Sequence, residues 1–500
     1  MSTIVFFCIP AYGHTNPTLG VVRELVARGH NVVYYSYDAM REPIEATGAA
    51  FVSCNRYDAE QRLSPQDGKR LGSDLAFSTR MLVDTTLALD SAILSDMRAL
   101  APDCIVADSM AIWGKLIAQK LGIPFVSSTT TFAFNRYSAG MMKQSPVRFL
   151  RMLCSMPKIG REIKRLQAAG YPVKNVLDII QNDDSTDTIV YTSPEFQPYS
   201  DTFSADHYAF VGPSVRPAET RMEKPCQPLV YISLGTVVND QPSFYRQCIA
   251  ALADSPCRVI LSVGEQVSPA DLGALPQNVE AHSQVDQIAV LQVADVFLTH
   301  CGMNSVNEAL YFGVPLVMFP QTPEQGGVCT RVLQLGAGVK LERPDAASIR
   351  KAIDAVRLTP AYREKAAEIS AGFRRCAGAK GAAEKILQVI GRASCLSFFC
   401  QSQNANSLCR MNNFVFCSMR HKLFFCFWRF FPIFVLSNFS RYSSFCLRLP
   451  NFFFPHLQQP LFCAIISADR RKAPQSRREP LLLIYVSVPV QTEKGGLSQC

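Results

Sequence analysis

No Cys-x-x-Cys or Cys-x-x-His spacing occurs among the ten cysteines of residues 1–392, so neither a zinc site nor a disulfide framework is indicated. Scattered free thiols fit a reducing compartment. No charged region precedes the first apolar run, IVFFCIP, and that run is too short for a secretion signal; it reads as the first strand of a cytosolic protein. Residues 1–392 carry no surplus of either charge, with 38 Lys/Arg against 38 Asp/Glu, which argues against a nucleic-acid-binding face. The net charge of +9 therefore comes from residues 393–500, with 12 basic and 3 acidic residues. That stretch is poor in glycine, with two of the 27, and rich in phenylalanine, with sixteen of the 32. It shows no sustained period of 2 or 3.6. Internal repeats are also lacking, beyond a loose likeness of two α/β halves.

Five hundred residues exceed one ordinary core and imply two or three domains. Apolar runs alternate with helical segments, the pattern of an α/β fold with parallel sheets. Strand IVFFCIP is followed by the turn Ala11–Asn16, then by a helix with Pro17 near its first position and Gly29 past its end. NVVYYSY, Cys104–Ala107, IPFVSST and Thr188–Thr192 continue the first series, with a polar loop near residues 58–73. Residues 213–228 hold Pro213, Pro217, Pro225 and Pro228 amid mixed charge and read as a linker. A second series begins at LVYISLGT and closes with helices near 345–358, 360–375 and 379–391. The reading is two doubly wound Rossmann-like domains, 1–212 and 229–392, joined by linker 213–228, with an atypical tail at 393–500.

The most informative stretch is Val296–Gln325, a strand–loop–helix–strand unit. Its loop, His300 to Ser305, lies at the carboxyl end of a strand, where open α/β sheets bind ligands. Asn304 or Ser305 is expected to cap the helix, whose start forms an anion site with His300 as a further donor. Glu308, one turn into the helix, is placed for hydroxyls. Phosphates and hydroxyls together suggest a nucleotide sugar.

The run THCGMNSVNEALYFGVP followed by PQTPEQ resembles the donor-binding signature of UDP-dependent glycosyltransferases, family 1, on the side of the bacterial macrolide glycosyltransferases. The resemblance implies the two-domain GT-B fold, a donor held in the cleft between domains, and a last helix that returns to the first domain. It also implies roles residue by residue. GHTNP resembles the catalytic-histidine loop, making His14 the general base, and ADS places Asp108 as its partner. A helix start is expected to favour the neutral imidazole of His14. Thr236, His300 and the helix-start N–H groups of Asn304 and Ser305 would hold the diphosphate, Glu308 the ribose, and Glu324 with Gln325 the sugar, with Gly302, Gln284 and Gln287 also on the donor side. Gln287 matches the glutamine of the plant WAPQ motif, whereas Gln284 and Asp286 replace its tryptophan and proline, leaving the uracil without its usual stacking ring. Met303 stands where plant enzymes carry tryptophan, which favours the bacterial branch. No metal or cofactor is expected beyond the UDP-sugar co-substrate.

Tyr12, Phe77, Met81, Phe132 and Phe134 are candidate acceptor-binding residues. The activity so implied is inverting transfer of a hexose, glucose first, to a hydroxyl of a lipophilic macrolide, polyketide, flavonoid, terpenoid or sterol. A nucleotide-sugar epimerase and a non-catalytic UDP-sugar binder of the same fold are the alternatives. The tail reads as sequence outside the folded body, of the kind given by a wrong frame or a lost stop. Its apolar run 423–439 has Arg429 and Pro432 in the middle and spans a bilayer core of ~30 Å poorly, so membrane association would come only from there.

Overall fold

The computed structural model describes residues 1–56, 74–135, 137–138, 146–180, 185–236, 239–404, 418–419 and 422–423. The polar loop expected near 58–73 and the apolar run from 424 onward lie outside these. The chain divides into two compact units, Met1–Ala405 and Asn406–Cys500. In the second, one short antiparallel pairing is described, Ser418–Met419 with Lys422–Leu423. No helix among the described residues is long and apolar enough to cross a membrane.

The first unit holds two parallel sheets. One is built from β1 (Thr3–Phe7), β2 (Asn31–Ser36), β3 (Ala50–Ser53), β4 (Cys104–Asp108), β5 (Phe125–Thr129), β6 (Thr188–Val190) and β7 (Tyr208–Phe210). Its order is β3-β2-β1-β4-β5-β6-β7. The other contains β8 (Leu229–Ser233), β9 (Arg258–Ser262), β10 (Val279–His282), β11 (Val296–Thr299), β12 (Leu316–Met318) and β13 (Gly338–Lys340). Its order is β10-β9-β8-β11-β12-β13. The direction of winding reverses between β1 and β4 in one sheet and between β8 and β11 in the other. At such points the following loops part and leave a crevice.

Both sheets are buried on both faces, which is why their strands read as unbroken apolar runs rather than alternating ones. In β1 and β2, Ile4, Phe6, Val32 and Tyr34 serve one core, while Val5, Phe7, Val33 and Tyr35 serve another. Phe6 stacks on Tyr34 with ring centroids 5.5 Å apart. In the second sheet Tyr231 stacks on Phe297 at 4.7 Å, tying β8 to β11 across the reversal. The expected last strand of the first half ends at Val190, and β7 follows it at the sheet edge, paired from Thr188↔Tyr208. Three residues are too few to show a period, so β7 is absent from the sequence reading.

Helix Gly378–Asn404 leaves the second sheet and packs across the first, with Ala382, Ala383, Ile386 and Val389 in one core with Ile4, Phe6 and Tyr34. Lys385 and Arg392 pair with Asp187 at 2.8 and 2.6 Å. Burial alone would raise the Asp187 pKa, but these two cations hold it below the ordinary carboxylate value. The helix continues past the 392/393 boundary drawn from composition, because Ala393–Asn404 contains no glycine or proline to stop it. A chain ending at Asn404 is expected to unfold cooperatively within about 2 °C of the full chain. A large drop in that melting temperature would show that residues 405–500 support the fold.

Candidate active site

His14 lies in the first turn of helix Tyr12–Ala27, directly after β1. The helix begins earlier than expected, so Pro17 sits inside it rather than near its first position. Proline has no N–H, and the carbonyl of Gly13, four residues back, therefore lacks its helical donor. Asp108 ends the neighbouring β4 and is buried. His14 Nδ1 and Asp108 Oδ2 are 2.8 Å apart, with Thr130 Oγ1 3.1 Å from the same nitrogen. A carboxylate only accepts, so Nδ1–H donates to it and Nε2 keeps the lone pair. The other Asp108 oxygen accepts from Met110 N–H at 2.9 Å, which fixes the carboxylate.

Burial is the largest influence on His14 and disfavours its charge. The charge and hydrogen bond of Asp108, with the charge of Glu324, outweigh it and bring the pKa above 6.5. The expected bias toward neutral imidazole at a helix start is thus reversed by the buried carboxylate.

The loops after β8 and β11 form the opposite wall. His300 is packed between Gly235 and Gly302: a Cβ on either would lie 2.5 Å from a ring atom. Gly235 also has φ +76°, where a side chain is strained. Burial, offset in small part by the Ser233 backbone, lowers the His300 pKa to about 4. The ring is therefore neutral near pH 7 and offers a single N–H. Cys301 adopts φ +68°, turning the backbone sharply before helix Met303–Tyr311. The cap is Gly302, with no side-chain cap bond, and not Asn304 or Ser305 as expected. Those two occupy the helix's second and third positions. The first helical bond across this turn runs from Val306 N to Gly302 O, so the amides of Met303, Asn304 and Ser305 precede it and remain available for an anion. Thr236 is exposed beside Gly235.

Gln287 organises the next turn. Its Nε2 donates to Glu308 Oε2 at 2.5 Å and lies 3.5 Å from Ser305 Oγ, while its Oε1 accepts from Tyr231 at 3.1 Å. Burial raises the Glu308 pKa, tempered by Gln287. Gln284 is exposed and donates to Glu265 at 2.9 Å. Asp286, a mere departure in the sequence reading, clamps the linker: it accepts from Arg216 at 2.9 Å and from the Glu219 and Thr220 amides at 2.7 and 2.9 Å. Nothing in the sequence pairs residues so distant.

Helix Pro323–Leu335 carries Glu324 and Gln325. Gln325 Oε1 accepts from the Gln321 and Thr322 amides at 2.7 and 3.1 Å, and Gln325 N–H donates to Thr322 Oγ1, a closed capping box. Only its Nε2 is left for a ligand. Glu324 is exposed by area but flanked by protein; desolvation raises its pKa, and the charge of His14 across the cleft works against that rise. Phe132 and Phe134 line a pocket there with Pro198, Pro323, Glu324 and Val328. Phe132 also packs on Phe196 at 5.6 Å, so it is core and wall at once. Tyr12 is 52% exposed two residues before His14, while Phe77 and Met81 are half-buried on helix Leu75–Leu100; none of these three lines that pocket. Among the described residues no group of three or more His, Cys, Asp or Glu is placed to hold a metal.

Residues 212–374 match the family model for UDP-glucoronosyl and UDP-glucosyl transferase. NDP-glycosyltransferase YjiC of Bacillus licheniformis is 33% identical over 398 residues, covering 77% of this chain and 96% of that protein. The chain belongs to this glycosyltransferase family. Oleandomycin glycosyltransferase of Streptomyces antibioticus is 29% identical, over 77% of this chain and 90% of that one. The crystal structure of CalG4, the calicheamicin glycosyltransferase, is 29% identical, covers 78% of this chain and 99% of its own, and superposes with a TM-score of 0.65. The glycosyltransferase therefore has the GT-B fold and takes a nucleotide-sugar donor as co-substrate. Gly235→Ala is expected to displace His300 and weaken UDP binding about tenfold or more, read by calorimetry. Unchanged affinity would remove His300 from the donor site.

Proposed function

We propose that this glycosyltransferase moves a hexose, glucose first, from a UDP-sugar to a hydroxyl of a lipophilic small molecule, with inversion at the anomeric carbon. The observation that carries the proposal is the His14–Asp108 pair, 2.8 Å long, facing Glu324 of the donor-side helix across one cleft. His14 Nε2 takes the acceptor's hydroxyl proton as its oxygen forms the new bond to the anomeric carbon. The bond from that carbon to the diphosphate breaks, and UDP leaves with the electron pair. Asp108 balances the imidazolium that forms. His300 and the amides of Met303, Asn304 and Ser305 stabilise the charge growing on the diphosphate, each donor contributing a few kcal/mol in such sites. Glu308 takes the ribose hydroxyls, and Glu324 with Gln325 Nε2 takes the sugar. Phe132 and Phe134 offer an apolar wall to the acceptor, and relatives named for oleandomycin and calicheamicin support a natural-product acceptor.

UDP release with UDP-glucose and UDP-galactose, against mixed phenolic and macrolide acceptors, tests this. Release should depend on acceptor, and His14→Ala should lower it roughly 10²- to 10⁴-fold. Binding without acceptor-dependent release would mark a non-catalytic binder. Interconversion of the two sugars, surviving His14→Ala, would mark an epimerase. The base works deprotonated, so kcat/KM should rise with pH and level off above a midpoint higher than 6.5, in the direction Asp108 sets. Asp108→Asn should move that midpoint lower and reduce the plateau; a flat profile would contradict the assignment.

A further inference from the structure

The backbone N–H of Asn304 is expected at the phosphates, and its side chain reaches elsewhere. Its Nδ2 donates to the carbonyl of Gly13 at 2.5 Å, joining residues 291 positions apart. A Cβ on Gly13 would lie 3.5 Å from that nitrogen, at ordinary contact distance, so the Asn304 side chain packs directly over the Gly13 backbone. The receiving carbonyl is available because the residue four positions later is Pro17, inside the helix. Gly13 precedes His14, and Asn304 follows the His300 loop by two residues in the second half. One turn further along the same helix, buried Asn307 donates to the Tyr191 carbonyl at 2.9 Å and accepts from Thr192 at 3.4 Å. Asn307 thus anchors the helix on the first half, and Asn304 brings its first turn to the histidine loop.

We propose that the Asn304 side chain is a positioning residue that ties the diphosphate-binding turn to the His14 loop, with Pro17 keeping the Gly13 carbonyl open to receive it. A donor that orders the helix start then also steadies His14. This rests on His14 being the base. The bond is a single amide–carbonyl contact at an exposed position, so the effect is modest and lies in turnover: the backbone amide of residue 304 stays in place whatever its side chain.

The test uses the full chain with Asn304→Ala, Asn304→Asp, Pro17→Ala and the Asn304→Ala/Pro17→Ala double variant. Asn304→Ala should lower kcat about two- to tenfold, the range one hydrogen bond carries, with UDP affinity by calorimetry changed less than about twofold. Asn304→Asp, whose carboxylate repels the carbonyl, should lower kcat further. Pro17→Ala gives Gly13 a helical donor that competes with Asn304; kcat should fall while the melting temperature holds or rises. The double variant should be no slower than Asn304→Ala, because both remove one bond. Unchanged kcat in Asn304→Ala, additive effects in the double variant, or a loss confined to UDP affinity would each overturn the proposal. Failure of the base assignment is separable: it appears as full transfer by His14→Ala, whereas failure of the tie appears in an enzyme that still needs His14.

Discussion

Everything the site does passes through helix Met303–Tyr311, nine residues long and too short to be stable alone. Val306, Ala309 and Leu310 bury it in a core that also contains Phe132 and Phe196 from the first half and Phe373 from the second. The same helix presents free amides at its start and Glu308 one turn in, and grips the first half through Asn304 and Asn307. Packing, donor recognition and contact with the histidine loop therefore share one element. Sharing that element brings the donor turn and the histidine loop to one cleft.

Two histidines face that cleft with opposite electrostatics. His14 has a buried carboxylate at hydrogen-bond distance, which overcomes the desolvation that would keep it neutral. His300 has no such partner and sits between two glycines, where burial leaves it neutral down to about pH 4. Environments that push like groups apart in this way separate their tasks. One histidine, its pKa raised by a buried carboxylate, is set to exchange a proton; the other keeps a fixed N–H for an anion. The glycines at 235 and 302 are the physical condition for the second, since no larger residue leaves room for the ring.

Much of this was legible beforehand, for identifiable reasons. Strands buried on both faces print themselves as apolar runs, so β1, β2, β4, β8 and β11 and the loops after them could be read directly. The His14, Asp108 and His300 loops follow strands at the two reversal points, and the geometry joins the first two. What escaped was set by tertiary contact or by a rule read incompletely. Gly302 caps the helix because the backbone turns at Cys301, and no propensity shows that. The Thr322–Gln325 box is written in the sequence as Thr-x-x-Gln, and it occupies the Oε1 of a residue that the family resemblance assigns to the sugar. Asp286 and β7 depend on partners that local pattern cannot name. Pro17 reads from sequence as a helix-start residue, whereas one turn further in it frees a carbonyl that the other half uses.

The central claim is direct displacement at the anomeric carbon by an acceptor that His14 activates. The most direct measurement is the anomeric configuration of the product, read by proton NMR from an α-configured UDP-sugar donor. A β-linked glycoside is the predicted result. An α-linked product would contradict the account, since backside attack by the activated hydroxyl inverts the anomeric carbon.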